Sequence, residues 1–203
     1  MDKVDLSEME VSAIGEVANI TLGNAATSLG VLVRKNIDIS VPMVEIKNKG
    51  DFVKNSDTGG VIARVDYVKG LQGYSILCLG INDVKSITDL MMGSDGYGMF
   101  YEQEMSELHI SAVSEAMNQM MGSAATAMGI MLDRMVDISP PNTVCMNAGE
   151  YVEAEFPNDD RFVQISFDMN VGGNMKIQML QLYPYVLAKA VADLFLIKKS
   201  SVD

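Results

Sequence analysis

A chain of 203 residues, 48% hydrophobic and 21% charged, can bury a sizeable core, either as one globular unit or as two fused halves. Its net charge of −12 argues against nucleic acid and against docking on an anionic leaflet, because both demand a basic surface. No apolar run approaches the roughly 18 residues that span a bilayer, and the acidic opening MDKVDLSEME lacks the apolar stretch of a signal peptide, so a cytoplasmic protein without membrane insertion is expected.

Ser7 and Glu10 stand at capping-box spacing behind Leu6, and the pattern after them predicts a helix over residues 7 to about 33. Gly23 and Gly30 inside it predict a kink or a close neighbour. Residues 37–47 alternate as a strand broken at Pro42, since proline cannot donate to a ladder. Residues 48–60 have the composition of a loop. Strands follow at 61–67 and 74–79 around a Gly70–Gly73 turn, then a helix over 82–92 capped by Asn82 or Asp83. Gly93–Gly98 is the clearest linker.

Ser106 caps a second long helix, running to about Met135. Residues 136–146 are extended, 151–155 form a short strand, and Pro157–Asp160 is a turn. A hairpin over 162–169 and 175–182 turns at Gly172–Gly173, and Pro184 opens a last helix to about Leu196. Helices that bracket runs of strands, instead of alternating with them, predict an α+β fold with a largely antiparallel sheet.

The two halves repeat. Ser12, Glu16, Asn19 and Pro42 return as Ser111, Glu115, Asn118 and Pro141, each displaced by 99 positions. From Ser7 to Pro42, 15 of 36 positions are identical without a gap, including Gly23, Ala25-Ala26-Thr27, Gly30 and Asp38-Ile39-Ser40. Two copies of this length indicate paired half-domains, whereas solenoids need three or more shorter units. At about 100° per residue, Ser12, Glu16, Asn19 and Gly23 share an arc of roughly 60°. Ile14, Val17, Thr21, Leu22, Ala25 and Leu29 occupy the opposite arc, and the second copy is laid out likewise with Val113, Met117, Met120, Met121, Ala124 and Met128. A merely solvated helix face would carry Lys or Arg as i,i+4 partners of the glutamate. Neither stripe has one, and each has an amide one turn after its carboxylate.

Ser-x3-Glu-x2-Asn-x22-Pro, present twice, resembles the signature of the CheC/FliY/CheX family of response-regulator phosphatases. The words around it, ISAVSEAMNQMMGSAATAM over Ile110–Met128 and then Asp137–Pro141, are most similar to the CheC-like domain of the FliY branch. The resemblance covers essentially the whole chain. It implies a single CheC-like domain over 1–203, made of repeats over about 5–97 and 104–198 and related by a pseudo-twofold, with exposed motif helices. It also implies an enzyme that dephosphorylates the receiver protein CheY at two sites. Asn19 and Asn118 would orient the attacking water, since an amide both donates and accepts. Glu16 and Glu115 would pair with the receiver lysine. Ser12 and Ser111 sit at the family's rim position, and Pro42 and Pro141 shape the adjoining strand. No cofactor of its own is expected; Mg²⁺ would belong to the receiver.

Two other classes fit the same resemblance. One is a non-catalytic scaffold of the flagellar switch, with partners of the FliM, FliG or FliN type at the cytoplasmic face of the motor. The other is an adaptor that binds the receptor deamidase CheD. Relative to a full-length switch phosphatase, neither a CheY-binding peptide before the domain nor a FliN-like domain after it is recognisable, so the expectation is a free-standing protein or an excised middle domain.

Other chemistries find little support. His109 has no elbow serine beside it and is expected on the helix surface. There is no P-loop motif. Asp168 to Gly173 starts like a calcium loop but has Gly172 at the fifth position and Met179 at the twelfth, so it is expected to be a hairpin turn. Glu150, Glu153, Glu155, Asp159 and Asp160 are expected to form a solvated loop. Cys78 and Cys145 are expected to be buried small hydrophobes, and the 17 methionines adaptable packing.

Overall fold

The computed structural model describes residues 5–56, 59–156 and 160–201. The first motif helix, α1 (Glu8–Val33), starts where the capping box places it: Ser7 Oγ accepts from the Glu10 N–H, and the Glu10 carboxylate accepts from Ser7 N–H at 2.7 Å. Strands β1 (Ile37–Ile39) and β2 (Met43–Asn48) flank Pro42. Then come α2 (Lys49–Asn55), β3 (Gly59–Lys69), β4 (Gly73–Gly80), α3 (Ile81–Met91) and α4 (Met99–Glu102). The second half is α5 (Glu107–Leu132), β5 (Asp137–Ile138), β6 (Asn142–Asn147), α6 (Ala148–Glu155), β7 (Arg161–Val171), β8 (Met175–Pro184) and α7 (Tyr185–Ser200).

The eight strands among the described residues join one antiparallel sheet, in the order β1-β7-β8-β4-β3-β5, with β2 also on β7 and β6 also on β3. The halves therefore exchange their edges: the first half's β1 and β2 complete the second half's hairpin, and the reverse. The duplication holds to the register. Met43 faces Ser166 and Asn142 faces Arg64, the same pairing displaced by 99 residues on one strand and 102 on the other. The repeated Asp-Ile-Ser explains itself here. Ser40 N–H donates to Asp168 O at 2.9 Å and Ser40 Oγ accepts from Asp168 N–H at 2.9 Å; Ser139 does the same with Asp66 at 2.8 and 3.2 Å. Each serine thus locks the edge strand to the other half's hairpin. β4 and β8 meet at the centre, Leu77 against Gln181.

α1 and α5 lie side by side, their alanines Ala25, Ala26, Ala124 and Ala125 buried. Ser123 Oγ donates to Asn24 O at 3.1 Å, and these are equivalent positions in the duplication, so the pseudo-twofold passes between them. α7 packs on α1 and α3 packs on α5. The predicted inward arcs are buried: Ile14, Val17, Leu22 and Leu29 on α1, and Val113, Met117, Met120 and Met128 on α5. Gly30 and its repeat Gly129 each admit a close neighbour. The chain reverses so closely at each C-cap that an added Cβ would meet Lys35 O at 2.8 Å or Arg134 O at 2.7 Å. Arg34 and Asp133 take the left-handed cap conformation there, at φ 55° and 52°.

Several expectations need correction. Residues 49–55 are helical, because Phe52 packs edge-on against Phe162 at 5.1 Å. Residues 148–155 are helical too, capped by Asn147 Oδ1 accepting from Gly149 N–H at 2.7 Å, with Tyr151 and Val152 buried in a second core under the sheet. The acidic group is therefore not a loop: Glu150, Glu153 and Glu155 lie on that helix, and Glu155 pairs with Arg64. Asp159 and most of the Pro157–Asp160 turn lie outside the described residues. α3 begins at Ile81 with Gly80 as its cap. His109 is buried, not on the surface: its Nε2–H donates to Phe100 O at 2.7 Å, which leaves Nδ1 to accept from Ser106 Oγ at 2.8 Å. That bond takes Ser106 Oγ away from capping α5. Cys145 is exposed on β6, whereas Cys78 is buried and its thiol is pushed up to about 12 by that burial. The Gly93–Gly98 segment is tied down by buried Asp89, whose carboxylate accepts from Gly96, Gly98 and Phe100 N–H at 2.8, 2.9 and 3.1 Å. Burial pushes Asp89 up, yet the Gly98 N–H, the Ser94 hydroxyl and the other two amides hold it below its ordinary value.

Two predictions follow from these anchors. Asp89→Ala would leave three amides without an acceptor and should cost roughly 3 kcal/mol in a urea titration. Glu10 is held at about 2, below its ordinary 4.5, by the hydrogen bond from Lys189 and then by Ser7. A depressed carboxylate stabilises fully above its ordinary value and loses that contribution as the pH falls from about 4.5 toward 2. Glu10→Gln should therefore lower Tm at pH 7, with the gap to the parent closing as the pH approaches 2.

Candidate functional site

Ser12, Glu16 and Asn19 are exposed on the outer face of α1, and Ser111, Glu115 and Asn118 on the outer face of α5. The position is dictated from below. Each helix must turn its apolar arc to the sheet, which leaves the narrow polar stripe facing out. The neighbours Ala13, Val17 and Ala18, and Ala112, Ala116 and Met117, are at most 6% exposed, so the stripe stands on a packed base. Residues three and four apart on a helix share a face, which puts Glu16 beside Asn19 and Glu115 beside Asn118.

Neither Asn19 nor Asn118 has a hydrogen-bonding partner for its side-chain amide among the described residues. Nothing among the described residues occupies their donors and acceptors. The carboxylates differ. Glu115 Oε1 accepts from Gln119 at 2.8 Å within its own helix. Glu16 Oε2 accepts from Lys199 Nζ of α7 at 3.1 Å. No i,i+4 cation stands in either stripe, yet a lysine 183 residues away fills that role on Glu16. Lys199 gave no local signal, because its contact comes from the packing of α7 on α1.

Pro42 is buried and Pro141 half-buried, each between the two short strands of its edge. β2 then passes under the motif helix, where a Cβ on Gly15 would touch Val44 Cγ2 at 3.6 Å. The prolines thus steer a strand beneath the stripe and stay out of it. Ser40 and Ser139 are the residues whose role was visible only as repetition: they fix the edge that carries that strand.

The stripes are ridges, not clefts. Open grooves of about 510 and 460 Å³ lie at the C-terminal ends of α1 and α5, lined by residues 27–38 and 125–137, away from the Glu and Asn pairs. Among the described residues no cluster of three or more His, Cys, Asp or Glu could hold a metal ion. None of the described helices is long and apolar enough to cross a membrane. A protruding carboxylate and amide cannot enclose a small molecule as pockets do. They can enter a pocket on another protein.

The CheC-like family model matches residues 9–46 and 108–145, one match on each motif helix with its following strands. The flagellar motor switch phosphatase FliY of Bacillus subtilis (strain 168) is 39% identical over 186 residues, which is 91% of this chain and 49% of that protein. The chain thus spans about half the length of this curated relative. The crystal structure of Thermotoga maritima FliY superposes with a TM-score of 0.86 at 34% identity, covering 96% of this chain and 100% of that one. The FliM middle domain from H. pylori shares the fold at a TM-score of 0.71 and 12% identity, over 93% of this chain and 99% of that one.

Exposure on a helix sets a clear expectation for stability. Asn19→Ala and Asn118→Ala should each unfold within about 0.5 kcal/mol of the parent in denaturant, since neither side chain is buried or bonded among the described residues. A loss of several kcal/mol would show that the amides serve the fold.

Proposed function

Since this chain belongs to the CheC-like family, we propose that it is a phosphatase that hydrolyses the aspartyl phosphate of a receiver protein, phospho-CheY, at two pseudo-symmetric sites. The observation that carries this is the free amide of Asn19 and of Asn118, each beside a carboxylate on a rigid, outward helix face. The name of the Bacillus relative, a flagellar motor switch phosphatase, supports the same class of activity.

The chemistry divides between the partners. Hydrolysis needs a water in line with phosphorus; its oxygen bonds to phosphorus as the bond to the aspartyl oxygen breaks, releasing the carboxylate and inorganic phosphate. Phosphoryl transfer is mostly positioning and charge stabilisation. The receiver brings a Mg²⁺ ion and a lysine to its phosphoryl group. This chain brings the amide, which accepts from the water and donates to a neighbour, as a water-orienting glutamine does in a GTPase. Glu16 or Glu115 pairs with the receiver lysine and sets the register, so the amide one turn away arrives at the phosphoryl group. Ser12 and Ser111 flank the contact. A substrate held in its own protein's pocket is matched by a ridge, which accounts for residues that protrude.

A location at the flagellar motor switch, beside FliM-type proteins, agrees with the name of the Bacillus relative and with the FliM-like fold. A purely structural role there has no use for two unpaired amides.

Asn19→Ala combined with Asn118→Ala should lower stimulated release of phosphate from phospho-CheY about 100-fold or more, the scale of a lost positioning contact, with the circular dichroism spectrum unchanged. Parental turnover by that double variant would end the assignment.

A further inference from the structure

The two sites are not equivalent, and the cause lies in α7. Each motif helix is buttressed by the last helix of the other half: α7 on α1 and α3 on α5. α3 stops at Met91, followed by Gly93 at φ 89°, while α7 runs on to Ser200. The extra turns place consecutive lysines on two helices at once. Lys198 Nζ donates to Ile130 O on α5 at 2.9 Å, and Lys199 Nζ donates to Glu16 Oε2 on α1 at 3.1 Å. The Lys199 ammonium also lies 5.7 Å over the Phe195 ring. Lys199 thus has two partners, the Glu16 carboxylate and the Phe195 ring, and its neighbour Lys198 ties the same turn to α5.

Among the described residues the second site has no counterpart. Tyr67 faces Gly73 and Met169 faces Ile177, so β8 corresponds to β4 displaced by 104 residues. Carried past the end of α3, that displacement puts Asp95 where α7 has Lys199, and Asp95 lies in the segment after the helix has ended. Among the described residues Glu115 is bonded only to neutral Gln119.

We propose that Lys199 is a built-in competitor at the first site, occupying the carboxylate of Glu16 that a partner's cation must engage. This rests on the phosphatase reading above. Binding at the first site requires the Lys199–Glu16 pair to open; binding at the second requires no such step. Both side chains are about half exposed, so water and salt screen the pair and its effect is modest. Removing the competitor strengthens binding of the receiver without changing the positioned water.

The test isolates each site. With Asn118→Ala, only the first site works; adding Lys199→Gln should lower KM for phospho-CheY up to about fivefold with kcat unchanged. Lys199→Arg should restore the parental KM, and added salt should shrink the difference. With Asn19→Ala, only the second site works, and Lys199→Gln should change neither constant. An unchanged or raised KM in the first background, or an equal change in both, overturns the proposal. Full turnover in the Asn19→Ala, Asn118→Ala chain sinks the phosphatase reading itself, which separates the two failures.

Discussion

The structure depends on edge strands exchanged between the halves. β2 completes β7 and β6 completes β3, so neither half has a finished sheet alone. A slip of one residue in either pairing would turn the half-buried Val44 of β2, or Val144 and Met146 of β6, away from the core each packs against. Ser40 and Ser139 guard against it, each bonding through both backbone and hydroxyl to one aspartate of the other half's hairpin. Because the sheet is continuous through Leu77 and Gln181, one surface supports both motif helices. α1 and α5 then lie across the pseudo-twofold and present their stripes outward together.

The water-orienting role proposed for the two asparagines depends on rigid support. On a loop, the amide would sample many positions and hold a water poorly. On a 26-residue helix capped by Ser7 and packed along its length, its backbone is fixed and only the side chain remains to be placed. Ordering a few rotors costs far less than ordering a segment of chain. The same packing brings Lys199 of α7 to Glu16, while the duplicated Glu115 meets Gln119 of its own helix. The symmetry is broken by the length of a buttressing helix and, beside the motif, by Gln119 standing where α1 has Ile20.

Much of this was legible in the sequence because it is local or periodic. The Ser7–Glu10 box, the two amphipathic stripes, the break at Pro42 and the Gly172–Gly173 hairpin each lie within a few residues of their cause. What was hidden depends on distant partners. α2 has loop-like composition and is helical because Phe52 finds Phe162; α6 is helical because Tyr151 and Val152 reach a second core. His109 sits on a helix in sequence, yet the carbonyl of Phe100 and the Ser106 hydroxyl bury it. The exchange of edges cannot be seen in a one-dimensional pattern, and neither can Lys199, which meets Glu16 only once α7 has docked.

The most direct test of the central claim is to watch the two amides. Side-chain ¹⁵N–¹H resonances of Asn19 and Asn118, followed during titration with CheY carrying beryllofluoride in place of its phosphoryl group, should both shift, and should stay put with unmodified CheY. Binding that moves other resonances and leaves both amides unperturbed would contradict the account.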